Sequence, residues 1–287
     1  MDKVYSVCWN LTSRCNQTCR FCFRDTTQME LPLSENMEIL KKLISYGIKK
    51  ISFTGGEATL YSGLWELAEY AHSCGVYTNL ITNGSTIAET LYELLPRYIN
   101  CLTLSLDTLN VDTQEKMGRG IQHSDQILKV LHGMKRRKLD IDIKINTVAT
   151  RYNVKEIPRL YPILRQFDVK FWKVFQFTPL RFQAKDNENE FNLDDVDFEQ
   201  LKTILCEQNK KFNDPLKLVF QSSDEIANSY VVILSDGTIS DILENTEKAK
   251  RNLRDYDVKD LINYTDFNFS NYYKRHPIDL RLKSLHY

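Results

Sequence analysis

The chain carries no net charge. Its 38 Lys and Arg residues are matched by 38 Asp and Glu residues, so no overall field draws it to nucleic acid or to an anionic membrane. An anionic partner has to be gripped by a local cluster of bases. No run of about 18 apolar residues occurs, which excludes a membrane-spanning helix. The opening MDKVYSVCWN lacks the basic and apolar regions of a signal peptide. No internal repeat or low-complexity block is present. Seven cysteines in an unexported chain imply a reducing, cytoplasmic compartment, where a tight cysteine cluster reads as metal-binding or catalytic rather than as a disulfide framework. What remains is an ordinary globular composition, 42% hydrophobic and 26% charged, able to bury a sizeable core.

Short β-branched runs alternate with amphipathic segments. Strands are expected at 3–11, 49–54, 76–82, 101–107, 141–149 and 170–177, and helices at 34–47, 62–75, 86–96, 124–138 and 154–167. This repetition argues βαβ units and a parallel sheet, curled by right-handed crossovers into a partial (β/α)6 barrel. Past residue 178 the rhythm changes. The polar stretch 181–195 is expected to be a surface loop. Phe198, Leu201 and Leu205 mark one side of a further helix. Residues 229–240 read as a hairpin turning at Asp236-Gly237, and the Asn-, Asp- and Tyr-rich tail from 252 carries no assignable pattern. The expected architecture is α/β, with a barrel core over 1–178 and an α+β extension over 179–287 closing the active-site face.

Three cysteines, Cys15, Cys19 and Cys22, stand in NLTSRCNQTCRFCFRD at spacing C-x3-C-x2-C, directly after the first strand. A structural zinc takes four protein ligands, so three thiols suit it only if a distant His or Cys completes the set. Cys8, Cys74, Cys101 and Cys206 are dispersed, as small buried hydrophobes are. An iron–sulfur cube held by three thiolates keeps one iron without a protein ligand, free to chelate a small molecule through an amine and a carboxylate. FTGGEA (53–58) ends the second strand; its glycines let the backbone approach a ligand, with a plain turn as the alternative. Asn83 in TNGS and Ser105 in LSLD end strands three and four, on the face where parallel barrels build active sites. Strand-end capping is the alternative there. Lys50, Arg119, Lys144, Arg151 and Lys173 fall at strand ends or in the loops after them. Burying a lone charge is costly, so several inward cations call for a polyanion such as a nucleoside triphosphate, unless acids pair them or solvent covers them.

The cysteine loop resembles the radical S-adenosylmethionine (SAM) superfamily, whose C-x3-C-x-aromatic-C motif stands here as Cys15, Cys19, Phe21 and Cys22. The resemblance implies a [4Fe–4S] cluster on the three cysteines and SAM contacts from Thr54, Gly55, Gly56, Glu57, Asn83, Ser105 and Arg119. Read in order, CNQTCRFCF, ISFTGGE, NGS, MGRG, KINTVATRYN, WKVFQF and SYVVIL resemble the viperin-like nucleotide dehydratases of that superfamily, from about residue 10 to 235. This implies abstraction of the ribose 4′ hydrogen of a nucleoside triphosphate by a 5′-deoxyadenosyl radical. Loss of the 3′ hydroxyl as water and one further reduction give a 3′-deoxy-3′,4′-didehydro nucleotide, in the service of antiviral defence. Lys50, Thr54, Lys144, Arg151 and Lys173 then hold the substrate, and Tyr230 protonates the leaving hydroxyl. A phenol with a pKa near 10 serves as such an acid where water is excluded.

The implied partners are the nucleotide and an electron donor such as a ferredoxin or flavodoxin, with no nucleic acid, no membrane and a monomeric chain. Departures from the family pattern are Cys8 in place of Asn, Asn10 in place of His, Thr54 in place of Ser, Ala58 in place of Pro, and Phe171 where animal members carry Arg. EKAKR (247–251) offers a further base or a solvated charged face. Two other readings stay open: a radical SAM enzyme acting on a peptide, and a non-enzymatic iron–sulfur redox-sensing module. The first usually brings a cysteine-rich C-terminal extension, and only Cys206 lies beyond Cys101.

Overall fold

The structure, a computed structural model, describes residues 4–26, 29–87, 89, 91–212, 216–226, 229–240, 252–261 and 267–275. The basic run 247–251 lies outside them. Six parallel strands lie side by side in chain order: β1 (Ser6–Thr12), β2 (Lys50–Gly55), β3 (Tyr77–Thr82), β4 (Cys101–Ser105), β5 (Asp142–Ala149) and β6 (Val169–Gln176). Between them run α1 (Leu33–Tyr46), α2 (Leu64–Ser73), α3 (Leu91–Tyr98), α4 (Val111–Lys116), α5 (His123–Arg137) and α6 (Leu160–Leu164). The expected β/α core is therefore present. The last of these helices is much shorter than expected, because Pro158 and Pro162 remove amide donors from the segment.

Strand residues alternate between two faces. One row, including Trp9, Phe53, Leu80, Leu104, Ile145 and Trp172, packs with Leu40, Leu67 and Leu131 of the helices into one hydrophobic core. The opposite row is polar: Lys50, Ser52 and Thr54 on β2, Thr103 and Ser105 on β4, Lys144 and Asn146 on β5, and Lys173 on β6. The helices satisfy the apolar row, which leaves the polar row to line the inside of the curved sheet.

The extension corrects one expectation. Residues 181–195 are not a surface loop; they form α7 (Phe182–Asp186), α8 (Glu188–Phe191) and the start of α9 (Asp195–Lys210). Their polar composition hides three buried anchors, Ala184, Phe191 and Leu193. The ring of Phe191 lies 6.1 Å from that of Phe21, 5.2 Å from Tyr152 and 6.0 Å from Phe177. Ala184 N donates to Cys22 O at 3.2 Å, and Arg20 pairs with Glu190. The extension thus covers the cysteine loop.

Helix α9 buries Phe198, Leu201 and Leu205, as their spacing predicts. Then β7 (Lys217–Gln221) pairs parallel with β6, followed by α10 (Ser223–Ile226). The expected hairpin is formed by β8 (Val232–Ile233) and β9 (Ile239–Ser240), with Gly237 at φ +84° where only glycine is unstrained. It also joins the sheet, since β8 pairs parallel with β1. The result is an open sheet ordered β7-β6-β5-β4-β3-β2-β1-β8-β9, parallel except at β9. The tail supplies α11 (Val258–Leu261) and α12 (Phe269–Arg275). Tyr272 Oη accepts from the backbone N–H groups of Tyr5 and Ser6 at 2.8 and 2.7 Å, sealing the start of β1. No helix among the described residues is long and apolar enough to cross a membrane.

Candidate active site at the strand ends

Cys15, Cys19 and Cys22 line one pocket with Thr54, Gly55, Gly56, Glu57, Asn83, Ser105 and Arg119. Every cofactor residue expected from the sequence is brought to this rim of the sheet. Sequence reasoning missed Gln17, Arg24 and Thr82, which line it too.

The two glycines are also required by the chain's own packing. A Cβ on Gly55 would stand 2.4 Å from Thr12 O, and one on Gly56 would stand 2.1 Å from Arg14 O. Gly56 N and Glu57 N donate to those same two carbonyls, at 2.7 and 2.8 Å. The pair therefore lets the end of β2 clasp the cysteine loop backbone to backbone. Glu57 is 1% exposed and spans from this clasp to the end of β3. Its Oε1 accepts from Thr59 N, Thr59 Oγ1 and Thr82 Oγ1 at 3.2, 2.6 and 2.7 Å, and its Oε2 accepts from Asn83 N at 2.7 Å. Asn83 Nδ2 in turn donates to Asn16 Oδ1 at 2.8 Å.

On the other side of the pocket Arg119 and Asp107 form a buried ion pair of 2.7 Å. Arg119 also donates to Gln17 Oε1 at 3.0 Å and lies 5.2 Å from the centroid of the Phe21 ring. Burial and then the Arg119 charge push His123 down to about 3, so its imidazole is neutral.

Burial pushes the Cys19 thiol up to about 11, against the pull of Arg119. Cys22 is raised for the same leading reason. Buried thiols of this kind become thiolates only where positive charge compensates them, and a bound metal centre supplies it. Three soft donors lining one pocket suit iron–sulfur coordination. Among the described residues no three His, Cys, Asp or Glu side chains, these cysteines included, stand close enough to hold a single metal ion. What fits the cluster is the donor chemistry: three thiols opening on one shared pocket, which suit a multi-iron centre.

Below the pocket, the inner row gathers charge. Lys144 is pushed down to about 8, first by burial, then by the nearby ammonium groups of Lys173 and Lys50. Among the described residues it makes no ion pair. Lys173 is 6% exposed. It donates to Tyr230 Oη at 2.9 Å, and Tyr230 donates to Gln221 Oε1 at 2.7 Å. Lys50 Nζ lies 5.7 Å from the centroid of the Tyr77 ring. Thr54 shares this inner row, in register with Asn10.

Arg151 does not join the group. β5 ends at Ala149 and a turn carries Arg151 outward, where it is exposed and donates to Asn189 O at 3.1 Å. Sequence reasoning missed Lys217, whose ammonium stands 5.2 Å from the ring of Phe171, its register partner on β6. Nothing in the sequence announced that β7 pairs there.

The Radical SAM superfamily model matches residues 9–161, more than half of the chain. An S-adenosylmethionine-dependent nucleotide dehydratase from Lacinutrix mariniflava is 26% identical over 286 residues, which cover 96% of this chain and 58% of that protein. The chain thus spans little more than half the length of that relative. A protein of the same description from Flammeovirga pacifica is 29% identical over 245 residues, 80% of each chain. Among solved structures, Streptococcus suis SuiB bound to S-adenosylmethionine superposes with a TM-score of 0.76 at 19% identity, covering 96% of this chain and 68% of SuiB. That likeness is one of fold. The chain belongs to the Radical SAM superfamily, and its cofactors are those of the family, a [4Fe–4S] cluster and S-adenosylmethionine.

Proposed function

We propose that the protein is a nucleotide dehydratase that converts a nucleoside triphosphate to its 3′-deoxy-3′,4′-didehydro analogue, in antiviral defence, as a monomer served by a ferredoxin or flavodoxin. The observation that carries this reading is the trio Lys50, Lys144 and Lys173 on the inner row beside the pocket, close enough for Lys144 to feel both neighbours. Three ammonium groups drawn together in a half-buried space repel one another, and a polyanion relieves that repulsion. The names of the Lacinutrix and Flammeovirga relatives point to the same substrate class.

When bound, the cluster and SAM supply the 5′-deoxyadenosyl radical that takes the ribose 4′ hydrogen. The chain's own residues do the rest. The lysines, with Thr54 beside them, hold the triphosphate and so aim the ribose at the pocket. Tyr230 gives its phenolic proton to the departing 3′ hydroxyl, which leaves as water. One electron from the reductant closes the 3′,4′ double bond. The phenolate left behind faces the Lys173 ammonium 2.9 Å away, which favours the ionised form.

The test is anaerobic reconstitution followed by assay of 5′-deoxyadenosine with dithionite, SAM and each of CTP, UTP, GTP and ATP. Stimulation by one triphosphate is expected. SAM cleavage indifferent to all four overturns the reading.

A further inference from the structure

His123 lies in none of the motifs singled out in the sequence, yet it is 1% exposed and both of its ring nitrogens are committed. Nε2 is 2.8 Å from the carbonyl oxygen of Ser105, and Nδ1 is 3.0 Å from Gln17 Nε2. A carbonyl only accepts, so Nε2 carries the proton and Nδ1 receives one from the Gln17 amide. That pairing orients the amide, because its other end, Oε1, must then face donors. It meets Arg119 Nη1 at 3.0 Å; Cys19 Sγ lies 3.7 Å away and donates only as a free thiol, so Arg119 is the donor that remains once the cysteine binds iron. The backbone N–H of the same Gln17 donates to Cys15 Sγ at 3.4 Å.

Gln17 thus stands between two of the three cluster cysteines and touches the sulfur of each. Its side chain is held by His123 on one side and Arg119 on the other. Arg119 is anchored in turn on Asp107, two residues beyond Ser105. A closed circuit results: it leaves the end of β4 through His123, crosses the cysteine loop at Gln17, and returns through Arg119. Largely buried polar groups so connected rigidify what they join.

The geometry points to His123 as a positioning residue for SAM binding: acting through Gln17, it fixes the cysteine loop against the end of β4, so that the cluster ligands and Ser105 share one register. A loop between two metal ligands moves the open face of any centre it holds, so a loosened Gln17 misaligns SAM without removing a ligand. The inference rests on the family's cofactors and not on the nucleotide reading, and it is tested without nucleotide.

The reconstituted, reduced holoenzyme is titrated with SAM and followed by electron paramagnetic resonance, with iron per chain measured on the same samples. His123→Phe keeps an aromatic ring and deletes both hydrogen bonds; Gln17→Leu deletes the other end. Each is expected to weaken SAM about tenfold through the misaligned loop, about 1.4 kcal/mol of binding, with iron per chain unchanged. Because one residue acts through the other, the double variant is expected to be no weaker than Gln17→Leu alone. If His123→Phe does not fold, His123→Asn, too short to reach both partners, carries the same expectation. SAM binding at the wild-type level in either single variant overturns the inference, as do losses that multiply in the double variant.

Discussion

Lys173 and Tyr230 meet head to head: the ammonium donates to the phenolic oxygen at 2.9 Å, joining β6 to the segment that leads into β8. The same ammonium lies 5.4 Å from the centroid of the Tyr230 ring, a contact with the aromatic body. Tyr230→Phe keeps that body and deletes the acid. Nucleotide-stimulated 5′-deoxyadenosine is expected to persist while the dehydrated nucleotide falls by about 100-fold. Chromatography with mass spectrometry reads both products in one sample. Equal loss of the two assigns Tyr230 a structural role instead.

Lys144 makes a prediction in pH. Its folded pKa is about 8 against an ordinary 10.5, so between those values the unfolded chain binds more protons than the folded one. Stability at this site therefore rises with pH through that window, and at about pH 7 the buried charge is a standing cost. Lys144→Met is expected to raise the melting temperature at pH 7 and to lose that advantage towards pH 10. A triphosphate favours the protonated lysine, so in the wild-type protein nucleotide raises the melting temperature more at pH 7 than at pH 9. Scanning fluorimetry reads both effects. A Met variant that melts lower at pH 7 contradicts the burial argument.

Much of this was legible in the sequence. The β/α rhythm is written in period-2 and period-3.6 runs, and the cysteine spacing fixes a three-thiol loop after β1. What sequence order hides is contact between distant segments. Phe191 looks like one apolar residue in a polar stretch, and only the Phe21 and Phe177 rings opposite it explain its burial. Gly55 and Gly56 read as a ligand approach, and their second role, against the carbonyls of Thr12 and Arg14, needs the fold to be seen. Gln17 and His123 are 106 positions apart, and neither residue type signals a partner. Arg151 was expected to join the lysines on the strength of its charge and place after a strand; one turn of backbone sends it to solvent.

Glu57 holds two strand ends together through four hydrogen bonds. In Glu57→Gln the amide must turn an N–H towards the Thr59 and Thr82 hydroxyls or towards the Asn83 N–H. At the latter it meets another donor, and at the former the charge that strengthened those bonds is gone. Destabilisation of about 2 kcal/mol is expected, measured by urea unfolding of the cluster-free protein. A change below the error of that measurement shows the carboxylate to be replaceable.

Gly56→Ala drives a methyl into Arg14 O, a backbone atom that moves only with the cysteine loop. The circular dichroism spectrum is expected to stay near wild type while iron retained per chain after reconstitution falls. Full iron loading shows the clasp to be compliant.

If a nucleotide held by Lys50, Lys144 and Lys173 is the substrate, its ribose 4′ hydrogen ends up on 5′-deoxyadenosine. The experiment uses the nucleoside triphosphate that stimulates SAM cleavage, deuterated at the ribose 4′ carbon. Mass spectrometry of the 5′-deoxyadenosine is predicted to show one transferred deuterium, together with a nucleotide product lighter by water. Unlabelled 5′-deoxyadenosine, formed at the same rate with or without the nucleotide, would mean that the ribose is not the radical's target.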